Sequence, residues 1–240
     1  MCGIAGFIAG HGAANAAALT PMLARIAHRG PDGQGTFVEG PAALGHCRLA
    51  IIDLEGGAQP LYSEDKNLVV VFNGEIYNYR ALTAELTALG HTFATRTDTE
   101  VLLHGWEQWG RELLPRLRGM FAFALWDRRA GVLFCARDMF GIKPLYLATG
   151  PGGTIVGSEK KCILDLAAPG NVRLQRQGLG AQFVDQGVGE GDHGLLFGAA
   201  LFGLGQERAE AGAIQVRHGV FGEVAADDAG TGVAGLPGGD

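Results

Sequence analysis

Cys2, in MCGIAGFIAG, stands one residue from the start of the sequence, with only a methionine ahead of it. A thiolate attacks electrophilic carbon, but a free thiol with a pKa of about 8.5 is mostly protonated at neutral pH and needs a base. An α-amino group titrates near about 7.7–8, so a cysteine that becomes the first residue on loss of Met1 carries its own base. The other reading of Cys2 is a core residue of an apolar strand. Asn73 and Gly74, in FNGEIYN, follow an apolar run. They can offer a side-chain amide and a backbone N–H side by side, the donor pair that suits a tetrahedral oxyanion. Glycine there would also admit a substrate close to the backbone. Asn-Gly is equally a strong hairpin-turn signal.

Three charged residues complete the candidate set. Arg48 lies in the apolar stretch HCRLAIIDL, where an unpaired guanidinium is costly. Its planar fork suits a carboxylate, from a substrate or from an internal ion pair. Glu75 and Asp98 can place negative charge near a substrate ammonium. Asp98 also reads as the N-cap of DTEVLLHGW, and Asp32 in HRGPDGQG as a turn residue.

The elements that must position these groups follow from hydrophobic pattern. Residues 3–9 read as a buried strand, and LTPMLARIAHRG as a helix from Thr20, with Pro21 in its first turn and Gly30 as its stop. AALGHCRLAIIDL and NLVVVFNGE read as strands, the second buried on both faces. NYRALTAELTALGH is the clearest helix, with Leu82, Leu86 and Leu89 on one face, Asn78 as cap and Gly90 at its end. DTEVLLHGWEQWG and RELLPRLRG predict further helix. MFAFALWDRRAGVLFCARD predicts two strands joined at about Asp127–Gly131. The pattern is α+β with antiparallel sheets, and neither a GxGxxG nor a GxxxxGK[ST] phosphate loop occurs in residues 1–165.

Composition excludes several classes. The 240 residues are 47% hydrophobic, enough for a core, and the net charge of −6 argues against nucleic acid or an anionic membrane as partner. No apolar run is long enough for a membrane helix. No Lys or Arg precedes the first apolar stretch, so a secretory signal is not expected. The cysteines at 2, 47, 135 and 162 form no CxxC pair, so neither zinc nor a dithiol motif is expected, and free thiols fit the cytoplasm.

After residue 165 the chain changes. Glycine roughly doubles in frequency, and Lys, Cys, Met, Trp, Tyr and Ser are absent beyond Cys162. Glycine carries the highest backbone entropy cost, so 166–240 is expected to be a divergent tail, either weakly ordered or frame-altered.

MCGIAG, HRGPDG, GHCRLAIIDL, QPLY, FNGEIYNY, TDTEVLLHGWEQWG, LRGMFAFALWD, RDMFGIKPLY and GSEKK occur in that order. Together they resemble the class II (N-terminal nucleophile) glutamine amidotransferase domain of glutamine-hydrolysing asparagine synthetases, over roughly residues 2–165. The related phosphoribosyl-pyrophosphate and glucosamine-phosphate amidotransferases match these segments less well. The resemblance implies an αββα four-layer sandwich of two mostly antiparallel sheets. It implies L-glutamine as substrate, Cys2 as nucleophile, and Asn73 with the Gly74 N–H as oxyanion hole. Arg48 would hold the glutamine carboxylate, Glu75 and Asp98 its ammonium, and the backbone at Ile51 and Ile52 would line the pocket.

Met139 and Lys160 depart modestly from the family pattern. The family continues into an ATP-dependent domain with a Ser-Gly-Gly-x-Asp-Ser loop. This chain has no serine after Ser158, so ATP and Mg belong only to that missing half, and no cofactor or metal is expected for glutamine hydrolysis. The expected protein is therefore the ammonia-producing half of a truncated asparagine synthetase. A synthetase domain or subunit would receive the ammonia, and a homodimer is compatible. The alternatives are a stand-alone amidotransferase acting in trans and a catalytically inactive interaction module.

Overall fold

The computed structural model describes residues 1–50, 56–164 and 166, with the backbone of 173–176, 181–182, 184–187 and 199–200. In the first sheet β1 (Gly3–Ala9) lies between β3 (Ala42–Arg48) and β9 (Gly153–Gly157). Outside these run β2 (Gly33–Glu39), beside β3, and β8 (Tyr146–Gly150), beside β9. In the second sheet β5 (Leu68–Ile76) pairs with β4 (Leu61–Tyr62) and β6 (Gly119–Asp127), and β6 with β7 (Val132–Arg137). Every ladder among the described strands is antiparallel. Residues 173–176 add to the edge at β8 and 184–187 to the edge at β7, within the segment that the sequence marks as divergent.

Side-chain parity stacks the layers. On β1, Ile4 and Ile8 join Leu44 of β3, Val69 and Val71 of β5, and Ala122 and Ala124 of β6 in the core between the two sheets. The opposite face of the first sheet, with Ala5, Phe7, Ala43 and Cys47, packs on α1 (Ala16–Ile26) and α4 (Lys161–Leu164). The outer face of the second sheet, with Val70, Phe72 and Phe123, packs on α2 (Tyr79–Ala88), α3 (Glu100–Trp109) and the 3-10 segment Gly110–Arg116. The order is helix, sheet, sheet, helix, as the resemblance implies.

Local departures from expectation have physical causes. Helix α1 begins at Ala16, not Thr20, because the Asn15 side chain accepts the Ala17 N–H at 3.0 Å and alanines propagate the turn. Pro21 is therefore inside the helix. Asn78 stands at the N-cap of α2 without a side-chain cap bond. Its amide instead spans Arg116 O and Arg118 N, at 2.9 Å each, joining α2 to the start of β6. RELLPR lies in the 3-10 segment Gly110–Arg116, with Pro115 removing a donor that a full α-helix would need, and the chain is extended from Leu117. The predicted turn after Asp127 is present, its carboxylate accepting from the N–H groups of Arg129 and Ala130.

Candidate active site

Cys2 immediately precedes β1 and shares the parity of Ile4 and Ile8, so it continues the face turned toward the second sheet. Its carbonyl accepts from Arg29 Nε at 3.0 Å, and Arg29 pairs with Glu159 at 3.0 Å. Ser158 exchanges two 2.9 Å hydrogen bonds with Ile4, through its side chain and its backbone N–H. Thus HRG and GSEKK, far apart in the chain, fix the start of β1. The thiol itself sits on the Leu49 backbone: Leu49 N–H donates to Sγ at 3.3 Å, and Sγ lies 3.5 Å from Leu49 O.

Asn73 and Gly74 are not in a turn. They lie within β5, opposite Ala122 and Phe121 of β6. Asn73 follows Val69 and Val71 on the inter-sheet face, is 1% exposed, and its Nδ2 has no hydrogen-bond partner. A buried donor left unsatisfied costs free energy and is an exception that needs a reason. At Gly74 a Cβ would fall 2.2 Å from Met120 O. The close approach that glycine permits here is that of the β6 backbone, so any other residue would push β5 and β6 apart.

Cys2, Arg48, Asn73, Gly74, Glu75 and Asp98 all line one pocket at the end of the inter-sheet layer. Arg48 is the last residue of β3, on the parity of Leu44. Asp98 is 5% exposed and accepts the Ile76 N–H at 2.8 Å. It does not cap α3, whose N-cap position is Thr99. Burial, helped by the neighbouring Glu75 carboxylate, raises the Asp98 pKa to about 6 against opposing backbone hydrogen bonds. Ile51 and Ile52 lie outside the described residues.

The pocket also holds groups that sequence reasoning missed, among them Gln59, Thr97, Thr99 and Lys143. Gln59 ties β5 to the Asp98 loop, accepting from Phe72 N at 2.6 Å and donating to Thr99 Oγ1 at 3.4 Å. Lys143 is 5% exposed, and its ammonium reaches Met1 Sδ at 3.1 Å. Asp138 brings it there by accepting from the N–H groups of Phe121, Ile142 and Lys143. The signal was present in RDMFGIKPLY, as an acid five residues before a lysine in a segment rich in apolar residues.

Behind the site His46 crosses from β3 to β5, its Nε2–H donating to Phe72 O at 3.1 Å. Nδ1 is buried without a partner. Burial, aided by Arg48 and only partly offset by the Phe72 bond, lowers the imidazole pKa from 6.5 to about 4. The unfolded chain therefore takes up a proton below about pH 6.5 that the folded chain refuses until about pH 4. Stability falls as pH drops through that window, by up to about 3 kcal/mol. His46→Gln keeps a donor for Phe72 O and is expected to flatten this acid limb in a series of Tm against pH. An unchanged limb would place the proton uptake elsewhere.

Two facing antiparallel sheets between helical layers, with a thiol at the start of the first strand of one and an amide on the other, have the architecture of the N-terminal-nucleophile amidotransferases. The chain belongs to the glutamine amidotransferase domain family, whose model matches residues 1–202. A Mycobacterium tuberculosis protein provisionally named asparagine synthetase (glutamine-hydrolyzing) is 50% identical over 183 residues, 69% of this chain and 28% of that protein. Asparagine synthetase (glutamine-hydrolyzing) 1 of Bacillus subtilis is 43% identical over 183 residues, 75% of this chain and 29% of its own length. The chain thus matches less than a third of the length of these curated relatives. Among solved structures, the B. subtilis glutamine phosphoribosylpyrophosphate amidotransferase, complexed with ADP and GMP, superposes with a TM-score of 0.64 at 25% identity. That match covers 78% of this chain and 47% of the other.

Proposed function

We propose that this chain releases ammonia from the side-chain amide of L-glutamine and leaves glutamate, with Cys2 as nucleophile. The observation that carries this reading is the unpartnered, buried Asn73 Nδ2 in the same pocket as the Cys2 thiol. Loss of Met1, now beside Lys143 in the pocket, frees the α-amine of Cys2. That amine takes the thiol proton as Sγ bonds to the amide carbon. Asn73 Nδ2–H and Gly74 N–H receive the oxyanion. As the C–N bond breaks, the ammonium returns its proton to the leaving nitrogen, and ammonia departs from a γ-glutamyl thioester. Water activated by the same amine then breaks the C–S bond. Neither ATP nor a metal enters these steps.

Arg48 clamps the glutamine carboxylate, and Glu75 with Asp98 receives the ammonium. Described pocket residues all come from the segment ending at Lys143, within the proposed 1–165 amidotransferase unit, while the strands at 173–176 and 184–187 that extend the two sheets lie beyond it. The asparagine synthetase relatives support delivery of the ammonia to a synthetase domain or subunit. Four free cysteines support a cytoplasmic setting. Among the described residues no helix is long and apolar enough to cross a membrane.

The test is steady-state release of glutamate from L-glutamine by wild type and Asp98→Asn. Asn retains an acceptor for the Ile76 N–H but loses the charge facing the substrate ammonium, so KM is expected to rise about 100-fold, as for loss of a desolvated ion pair. Asp98 holds its proton more tightly folded than unfolded. Its contribution to stability is present below about pH 4 and is lost as pH rises through about 6. The variant is therefore expected to match or exceed wild type in Tm at pH 7.5. An unchanged KM, or unfolding of the variant, would assign Asp98 to structure alone. Absence of glutamate release by wild type from which Met1 has been removed would contradict the function.

A further inference from the structure

Outside the pocket, two histidines and a glutamate converge where α2 meets α3. His91 follows the end of α2, its N–H donating to Leu86 O at 3.0 Å, while His104 and Glu107 are one turn apart on α3. Glu107 Oε2 lies 3.0 Å from His104 Nδ1 and 3.5 Å from His91 Nδ1, and the three donor atoms are all within 4.8 Å of one another. Tetrahedral zinc, with bonds of about 2.0–2.1 Å, sets its ligand atoms about 3.3 Å apart. Two edges of that tetrahedron are already close to length. The third edge, between the two imidazole nitrogens, is within 4.8 Å, and a small rotation of the partly exposed His91 ring shortens it.

The surroundings are those of a metal site as well. A metal-ligating imidazole usually donates its far N–H to an oxygen that fixes its ring. His91 Nε2 lies 3.1 Å from Gln108 Oε1. His104 is 4% exposed, and its Nε2, without a hydrogen-bond partner, faces Glu100 Oε1 at 3.5 Å. Glu100 is itself held by the N–H groups of Ala94 and Thr95 and by the Thr95 hydroxyl. Phe93 packs edge-on against His104 and shields it. Both rings are thus oriented from behind, with their Nδ1 atoms turned to one carboxylate.

We propose that His91, His104 and Glu107 bind a zinc-class divalent cation that ties the end of α2 to α3, with water as the fourth ligand on the exposed side. Imidazole and carboxylate donors at this spacing suit zinc or cobalt better than magnesium or calcium, which prefer all-oxygen shells. No thiol takes part, so cysteine spacing gives no sign of the site. The cation closes the segment from residue 91 to 99, which carries Thr97, Asp98 and Thr99 to the glutamine pocket.

The test is calorimetric titration of the chelator-treated full chain with Zn²⁺, with Co²⁺ as a spectroscopic probe. One equivalent is expected to bind and to raise the Tm. Co²⁺ is expected to show visible d–d bands of a low-coordinate site without a near-ultraviolet thiolate band. His91→Gln and Glu107→Gln should each weaken binding by at least about 10-fold, and Gln108→Leu should weaken it about as much as loss of an outer partner does elsewhere. The two ligand positions are partly exposed, so these variants report binding without loss of the core. The proposal is overturned by no stoichiometric binding, by binding as tight as wild type in both ligand variants, or by a thiolate band that disappears in Cys2→Ala.

Discussion

Cys2→Ala is expected to lower glutamate release from glutamine by at least about 10³-fold while leaving the Tm within a few degrees of wild type. The size of the loss follows from the other thiols being out of reach. Cys47 is fully buried against the Leu23 carbonyl, and burial raises its pKa. Cys135 is pushed to about 12 by complete burial, and Cys162, whose thiol donates to the Glu159 carbonyl, to about 11 chiefly by burial. Among the four cysteines, Cys2 alone is partly exposed, and it alone lines the pocket. The small effect on stability follows from what the thiol touches, which is the Leu49 backbone at 3.3 Å and 3.5 Å. These sulfur bonds are weak, and β1 is anchored instead through the Cys2 carbonyl, Arg29 and Ser158. A variant with wild-type turnover would mean that another group attacks the amide.

Asn73→Ala is expected to lower kcat by about 10²–10³-fold, the usual cost of losing one oxyanion donor, with a much smaller change in KM. The split matters because the donor acts when charge develops on oxygen, not when glutamine docks. Stability is expected to stay level, since Nδ2 makes no hydrogen bond within the protein and its removal relieves an unsatisfied donor. A core asparagine with a structural role would behave the other way, losing Tm and leaving kcat intact in the surviving fold. Steady-state kinetics and thermal melts on the same preparation separate the two.

Much of the layer order and of the site was legible in the sequence, and what was not has identifiable causes. Strand β1, strand β5, helix α2 and the β6–β7 hairpin follow from apolar runs, leucine spacing and turn residues. Strand β2 escaped notice because GQGTFVE has little apolar content and is largely exposed. The facing of the sheets could not be read from LVVVFNGEI, since a strand buried on both sides shows no alternation. That parity decides the site, because it sets Asn73 and Glu75 toward Cys2 and Arg48. Residue type made Cys2, Asn73, Arg48 and Asp98 candidates beside core, turn, ion-pair and cap readings, and the family resemblance gave them roles; the structure removes the turn reading of Asn73–Gly74 and the cap reading of Asp98. Lys143 and Thr99 were hidden because loops bring them in, and their paths depend on the distant Asp138 and Gln59.

Attack on the glutamine amide falls to a thiol at the very start of the mature chain. The most direct measurement is intact mass and peptide mapping after exposure to a glutamine analogue with an electrophilic diazoketone in place of the amide. The expected result is a chain lacking Met1, one equivalent of label on Cys2, and loss of glutamate release in proportion to labelling. Label on Cys47, Cys135 or Cys162, or full turnover by a chain that keeps Met1, would contradict it.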